Sequence, residues 1–123
     1  MARIMIIDDS AEVVEILSTF LHMHGHQVHA GSLQTSIYKQ LDLVAPDIIL
    51  LDIILNGHDG RQLCIDIKFS PPYKSIPIIL MSASPALLKY YKDFKADDFI
   101  EKPFDIYAVL EKIAGFLETS YIE

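Results

Sequence analysis

Basic residues are scarce in this chain. Its 123 residues carry 10 Lys and Arg against 17 Asp and Glu, a formal net charge of −7 at pH 7. A surface built to grip nucleic acid needs the opposite balance, so direct nucleic-acid binding is not expected. Cysteine is scarcer still. Cys64 stands alone, which excludes an internal disulfide and fits a reducing, cytoplasmic compartment. No hydrophobic run approaches the roughly 18 to 20 residues that span a bilayer, so no membrane contact is expected. The N-terminal Ile4-Met5-Ile6-Ile7 is too short for a signal-peptide core. Repeats and low-complexity stretches are missing too. What the chain does have is apolar side chains, 51% of the total against 22% charged, which excludes intrinsic disorder. Mean hydropathy is +0.30. The apolar residues come in short blocks cut by Asp, Gly or Pro.

Four of these blocks, Arg3–Ile7, 47–51, 77–81 and 98–100, do not alternate, as expected of strands buried on both faces. Gln27-Val28-His29-Ala30 alternates and reads as a more exposed strand. Helical spacing fills the gaps. A first helix is predicted over 10–24, with Val13, Val14, Leu17, Phe20 and Leu21 inward, a cap from Asp9 or Ser10, and Gly25 at its end. A second is predicted over 33–44 and a third between Asp59-Gly60 and Pro71-Pro72. A fourth starts at Ser84-Pro85 and a fifth at Asp105. Strand and helix thus alternate along one domain, residues 1–123. That order predicts an α/β fold, a flavodoxin-like doubly wound (βα)5 sandwich with a five-stranded parallel sheet in the order 2-1-3-4-5. Ligands of such sheets bind beyond the carboxyl ends of the strands, where strand order reverses.

The residues at those ends are Asp8-Asp9, Asp52, Ser82 and, shortly after the last strand, Lys102. Carboxylates brought this close repel one another and need a cation. A hard divalent ion with oxygen ligands answers that need. Mg²⁺ fits best, because it takes one or two carboxylates and keeps several waters. Lys102 and the Ser82 hydroxyl can meet phosphoryl oxygens. The remaining carboxylate can act as nucleophile. The set describes phosphoryl transfer onto an aspartate.

Five stretches carry a likeness at this point: Ile4-Met5-Ile6-Ile7-Asp8-Asp9-Ser10, Pro46-Asp47-Ile48-Ile49-Leu50-Leu51-Asp52, Asp59-Gly60, Ile79-Leu80-Met81-Ser82-Ala83, and Ala96-Asp97-Asp98-Phe99-Ile100-Glu101-Lys102-Pro103-Phe104. In that order the chain resembles the receiver domain of two-component response regulators over essentially its whole length. The resemblance implies that Asp52 is the phosphoacceptor. It implies Mg²⁺, with Mn²⁺ as a substitute, held directly by Asp9, mainly through water by Asp8, and by Asp52 and the backbone carbonyl of Ile54. Ser82 would contact the phosphoryl group, and Lys102 would bridge phosphate and carboxylate across a cis Lys102-Pro103 bond. Phe99 would be the switch aromatic, turning inward when Ser82 moves and biasing the surface of the fourth helix, fifth strand and fifth helix. The implied donor is a sensor histidine kinase or histidine phosphotransfer protein. The output protein or domain would lie outside residues 1–123. The implied role is a signalling switch, not a turnover enzyme.

Three features depart from the family pattern. Asn56-Gly57 stands where a proline is common after the acceptor, predicting a more mobile loop. Lys95 replaces the usual glycine before Ala96-Asp97-Asp98, and the stretch from Ser82 to Lys102 is about two residues short; both bear on the fourth helix. Ile54 is apolar and cannot hydrogen-bond an attacking water, which predicts slow self-dephosphorylation. Tyr90, Tyr91 and Phe94 read either as half-buried packing or as a partner surface. His22 and His26 have metal-ligand spacing, but Gly25 breaks the helix between them. A hydrolase with an aspartyl-phosphate intermediate would want Asp-x-Asp after the first strand, where this chain has adjacent acids. A receiver-like module that is never phosphorylated would not need the full set of acids, hydroxyl and lysine.

Overall fold

The computed structural model of the chain describes residues 2–121. In order they form β1 (Arg3–Ile7), α1 (Ala11–Met23), β2 (Gln27–Ala30), α2 (Ile37–Val44), β3 (Ile48–Asp52), the short strands β4 (Ile54–Leu55) and β5 (His58–Asp59), α3 (Gly60–Lys68), β6 (Ile78–Ser82), α4 (Pro85–Leu88), a 3-10 turn at Tyr91–Phe94, β7 (Asp98–Glu101) and α5 (Ile106–Tyr121). Five of the described strands make one parallel sheet in the order β2-β1-β3-β6-β7. With the β4-β5 hairpin set aside, this is the 2-1-3-4-5 order expected from the sequence, and the fold is the flavodoxin-like doubly wound one.

Strand periodicity divides the core in two. Met5, Ile7, Ile49, Leu51, Ile78 and Leu80 face α2, α3 and α4, meeting Ile37, Leu41, Cys64, Ile67 and Leu88. Their neighbours Ile4, Ile6, Ile48, Leu50, Ile79 and Met81 face α1 and α5, meeting Leu17, Leu21, Val109 and Ile113. Every residue of β3 and β6 is buried. That two-sided burial is why these strands read as unbroken apolar blocks, and it accounts for the high hydropathy without a membrane. Among the described residues no helix is long and apolar enough to cross a bilayer.

Two helices differ from expectation. α2 begins at Ile37, four residues later than the predicted start at Leu33. Gln40 supplies the reason. Its side-chain amide donates to the carbonyls of Ser32 (2.6 Å) and Ser36 (3.3 Å) and to Thr35 Oγ1 (3.0 Å), and its oxygen accepts from the Ser32 N–H (2.9 Å). Those bonds hold residues 32–36 as a loop, in a stretch whose Ser and Thr already favour non-helical backbone.

α4 is a single turn. Ser84 Oγ accepts from the Leu87 N–H (3.3 Å) and Pro85 takes the first helical position, so the start is as expected. The helix then gives way to the 3-10 turn, which ends at Lys95 with φ 67°. Lys95 thus adopts the left-handed conformation that a glycine there would take without a side-chain penalty. Lys95→Gly is expected to stabilise the protein by about 1 kcal/mol, read as a rise in thermal midpoint. An unchanged or lower midpoint would show that the lysine side chain offsets the strain.

Candidate functional site

Sheet register assembles the site. Ile7 pairs with Leu51, which sets Asp8 level with Asp52. Asp52 pairs with Met81, so Ser82 lies one step further along, and Ser82 pairs with Glu101, so Lys102 lies one step beyond that. The Lys102 N–H donates to the Ser82 carbonyl (2.8 Å), continuing the ladder. The Lys102-Pro103 bond is cis.

Lys102 is the hub. Its ammonium lies 2.6 Å from Asp8 Oδ2 and 3.5 Å from Asp52 Oδ1. The other Asp8 oxygen accepts from the Ser10 N–H (2.8 Å), and the Asp8 side chain is 1% exposed. Asp52 is buried too. Burial pushes its carboxyl above the ordinary carboxylate range, and the neighbouring Asp8 charge pushes it further. The Lys102 ammonium and the Ile54 N–H pull it back only in part.

Asp9 is placed differently. It is exposed, and its carboxylate accepts the backbone N–H of Asn56, tying the end of β1 to the β4-β5 hairpin. Ile54 opens that hairpin with its side chain largely exposed. The loop after Asp52 is thus folded as a short hairpin. Ile54 pairs with Asp59, Leu55 pairs with His58 and is buried in the core, and Gly57 turns the chain at φ 72°. The signal lay in the sequence: Asn-Gly between two strand-like pairs marks a hairpin. A polar cleft of about 400 Å³ opens beside it, lined by Asp8, Asp9, Ser32, Gln34, Asn56 and His58 among others.

The structure thus brings Asp8, Asp52 and Lys102 together and sets Asp9 at the hairpin turn. Among the described residues no three His, Cys, Asp or Glu side chains group at metal-ligand spacing. The chemistry of the donors still suits a hard cation. They are carboxylate and carbonyl oxygens, and two acids share one ammonium. Of the softer ligands, His58 lines the cleft, while Cys64, His24 and His26 are placed elsewhere. Burial pushes the Cys64 thiol up to about 12. His24 Nδ1 sits 2.9 Å from the Phe20 carbonyl, and His26 Nδ1 accepts from the Ala2 N–H (3.3 Å). Burial, first, holds the His26 pKa below its usual value.

Ser82 is fully buried, and its Oγ accepts from the Ser84 N–H (3.0 Å), so the hydroxyl is joined to the residue that caps α4. Phe99 is half-buried. Its ring lies 5.0 Å from that of Tyr91, with the Lys112 ammonium 4.9 Å from its centre. Lys112 also bonds Asp98 Oδ1 (3.0 Å) and the Phe99 carbonyl (2.8 Å). Phe94 lies 4.8 Å from the Arg61 guanidinium, which in turn pairs with Asp59 at 2.9 Å. Tyr91 and Phe94 are therefore packing residues, and Tyr90 is the aromatic left at the surface.

A family model described as the response regulator receiver domain matches residues 4–114. The chain is similar to the transcriptional regulatory protein YxdJ of Bacillus subtilis, 32% identical over 125 residues that cover 100% of this chain and 53% of that protein. It is also similar to the DNA-binding dual master transcriptional regulator RpaA of Synechocystis, 30% identical, with 95% of this chain and 49% of that protein covered. The chain spans about half the length of these curated relatives. Among solved structures it resembles the signal receiver domain of a signal transduction histidine kinase from Syntrophus aciditrophicus, at TM-score 0.86 and 28% identity over 97% of this chain and 92% of that one. It likewise resembles NtrX from Brucella abortus, at TM-score 0.86 and 27% identity over 98% of this chain and 28% of that one.

Proposed function

The chain belongs to the response regulator receiver domain family, and from that premise we propose that Asp52 is its phosphoacceptor. The donor is a phosphohistidine on a sensor histidine kinase or a histidine phosphotransfer protein. The observation that carries this reading is the pair of buried acids, Asp8 and Asp52, held on one ammonium at the carboxyl edge of the sheet. A carboxylate oxygen of Asp52 attacks phosphorus, the O–P bond forms, the P–N bond breaks, and the departing imidazole nitrogen takes up a proton. The Lys102 ammonium, already 3.5 Å from Asp52, is placed to meet the phosphoryl oxygens as charge builds there. The Ser82 hydroxyl can donate to another.

Asp8, Asp9, Asp52 and the carbonyl of Ile54 are the groups that would hold Mg²⁺, with Mn²⁺ as a substitute. When bound, the ion supplies charge neutralisation for the phosphoryl oxygens. In the switch that follows, Ser82 leaves the Ser84 N–H for the phosphoryl group and Phe99 shifts against Tyr91 and Lys112, changing the α4, β7 and α5 surface offered to an output domain or partner. The role is that of a switch acting on its own aspartate, in the cytoplasm, and not of an enzyme with turnover.

Intact-mass measurement after treatment with acetyl phosphate and Mg²⁺ tests this. The expected result is one added phosphoryl group, lost in Asp52→Asn. An adduct that persists in Asp52→Asn, or none from acetyl phosphate or a phosphohistidine donor, would overturn the reading. Steady phosphate release from small esters would point to a hydrolase instead. The adduct is also expected to be long-lived, because the Ile54 side chain offers no hydrogen bond to an attacking water. Ile54→Asn should shorten its lifetime, as followed by the decay of the added mass; equal lifetimes would remove the role given to Ile54.

A further inference from the structure

Asn56 is the chain's one asparagine, and it stands directly before Gly57. A side-chain amide in that position can react with the next backbone nitrogen. Ordinarily a side chain on the following residue, or hydrogen bonds that hold the two groups apart, prevents it. Both restraints are missing here. Gly57 has no side chain, sits at φ 72° and has open space around it. Both residues are exposed at the hairpin turn. Asn56 is held by its backbone N–H, which Asp9 accepts. Among the described residues neither its side-chain amide nor the Gly57 N–H meets a hydrogen-bond partner. Asp59-Gly60, the comparable pair on the same hairpin, is built the opposite way. The Gly60 N–H donates to the Ile53 carbonyl (2.7 Å), and the Asp59 carboxylate accepts from the Arg61 N–H (2.9 Å) and pairs with its guanidinium.

We propose that Asn56-Gly57 is a self-modification site, where an amide converts to a carboxylate beside Asp8 and Asp9. The Gly57 nitrogen, losing its proton to solvent, attacks the carbonyl carbon of the Asn56 side chain. The new C–N bond closes a cyclic imide, the bond to the amide NH2 breaks, and ammonia leaves. Water then opens the imide. Breaking the new bond gives an ordinary aspartate. Breaking the original peptide bond gives isoaspartate, with the main chain running through the side-chain carbons and one carbon longer. Either product adds a negative charge to the cleft that Asp8, Asp9 and Asn56 line together. The longer product also disturbs the hairpin. Leu55 and His58 pair across Asn56 and Gly57, so the turn that presents the Asn56 N–H to Asp9 must change shape to close over the extra carbon. The modification stands apart from the phosphoacceptor reading. Only its effect on the site rests on that reading, through Asp9 as one of the groups assigned to Mg²⁺.

The test holds the full chain for days in warm, mildly basic buffer, following intact mass and peptide maps. The expected result is a gain of about 1 Da placed at Asn56, with isoaspartate detected there by an isoaspartyl methyltransferase. The reaction should run faster in mild base than in mild acid, because the attacking nitrogen must lose its proton. Its rate should match that of a synthetic peptide of residues 54–59, since the fold holds neither reacting group. Asn56→Gln should keep the mass constant, and Gly57→Ala should slow the gain roughly ten-fold. A native chain that keeps its mass while the peptide reacts, or a gain placed at a glutamine, would overturn the proposal. Separated isoaspartate protein, given acetyl phosphate and Mg²⁺, should take up its phosphoryl group roughly ten-fold more slowly than fresh protein. Asn56→Asp, with the charge but not the longer chain, should lie closer to fresh protein. Equal rates for all three would remove the effect on the site. Fresh protein that takes up no phosphoryl group yet still gains the mass at Asn56 removes the Asp52 reading and leaves the modification site. A phosphoryl adduct on a chain that never deamidates does the reverse.

Discussion

Gly60→Ala is expected to destabilise the protein by about 3 kcal/mol or more, measured as a fall in the urea or thermal midpoint. Gly60 starts α3 with no positive φ, so its backbone conformation alone would accept alanine. Space decides the matter. A Cβ there would stand 2.0 Å from the Asp52 carbonyl oxygen, 2.9 Å from its carbonyl carbon and 3.0 Å from Ile53 Cα. All three are backbone atoms, so no rotamer change relieves the clash. The Ile53 N–H is held by the Met81 carbonyl (2.9 Å) and β3 is buried throughout, so the end of the strand cannot retreat. The start of α3 must move instead, giving up the Gly60 N–H bond to the Ile53 carbonyl (2.7 Å) and dragging Asp59 and the hairpin with it. Phosphoryl acceptance should fall even in the molecules that stay folded, because the backbone of Asp52, the proposed acceptor, is what the new methyl strikes. Gly57→Ala makes the control. That residue sits at φ 72° with open space around it, so it should cost only about 1 kcal/mol, through conformation. A Gly60→Ala protein within experimental error of the parent would refute the close-approach argument.

Gly60 also marks how far the sequence could be read. Asp59-Gly60 was recognisable as a motif, but the reason for the glycine, a helix start resting on the Asp52 carbonyl, is a tertiary contact that no local pattern announces. β1 and β2 were legible to the residue, because two-sided burial leaves an unbroken apolar run and a more exposed strand leaves an alternation. α2 was read too long because Leu33 continues its apolar spacing, while the competing bonds from Gln40 to residues 32–36 leave no trace in spacing at all. Lys95 was informative in the other direction. A lysine at a glycine position flagged the fourth helix, and the structure has one helical turn, a 3-10 turn and a left-handed residue there. At the site, the order of strand ends predicted that Asp8, Asp9, Asp52, Ser82 and Lys102 would gather at one edge. It could not foresee that Lys102 would sit between the two buried acids while Asp9 turned to the Asn56 N–H. Those are choices among nearby partners, made by side chains after the backbone is placed.

That arrangement makes Lys102 the side chain whose loss the metal-free fold should feel most among the polar groups. Lys102→Met keeps the length and much of the apolar stem but leaves Asp8, with its side chain 1% exposed, and Asp52 facing each other without a cation. Breaking a buried pair by removing one partner strands the other charge, so about 3 kcal/mol should be lost near neutral pH. The pH dependence follows from Asp52. Its folded pKa is already raised, by burial and then by Asp8, with Lys102 opposing. A raised folded pKa means that the folded state holds the proton more tightly than the unfolded chain. The stability this contributes is fully present below the ordinary carboxylate range and is lost as pH rises through the raised value. Without Lys102 the opposing pull is gone, so the loss should be steeper and extend to higher pH. Parent and Lys102→Met should therefore converge in acid and separate on the way to neutrality. Asp52→Asn should behave oppositely, exceeding the parent near neutral pH and losing that advantage in acid. Thermal midpoints of the three proteins across that range, in chelator, provide the check. A pH-independent gap between Lys102→Met and the parent would mean that the lysine contributes packing and not charge. Added Mg²⁺ should then recover much of the loss in Lys102→Met and little in Asp52→Asn, since a cation held by Asp8 and Asp52 replaces the missing ammonium only where both acids remain.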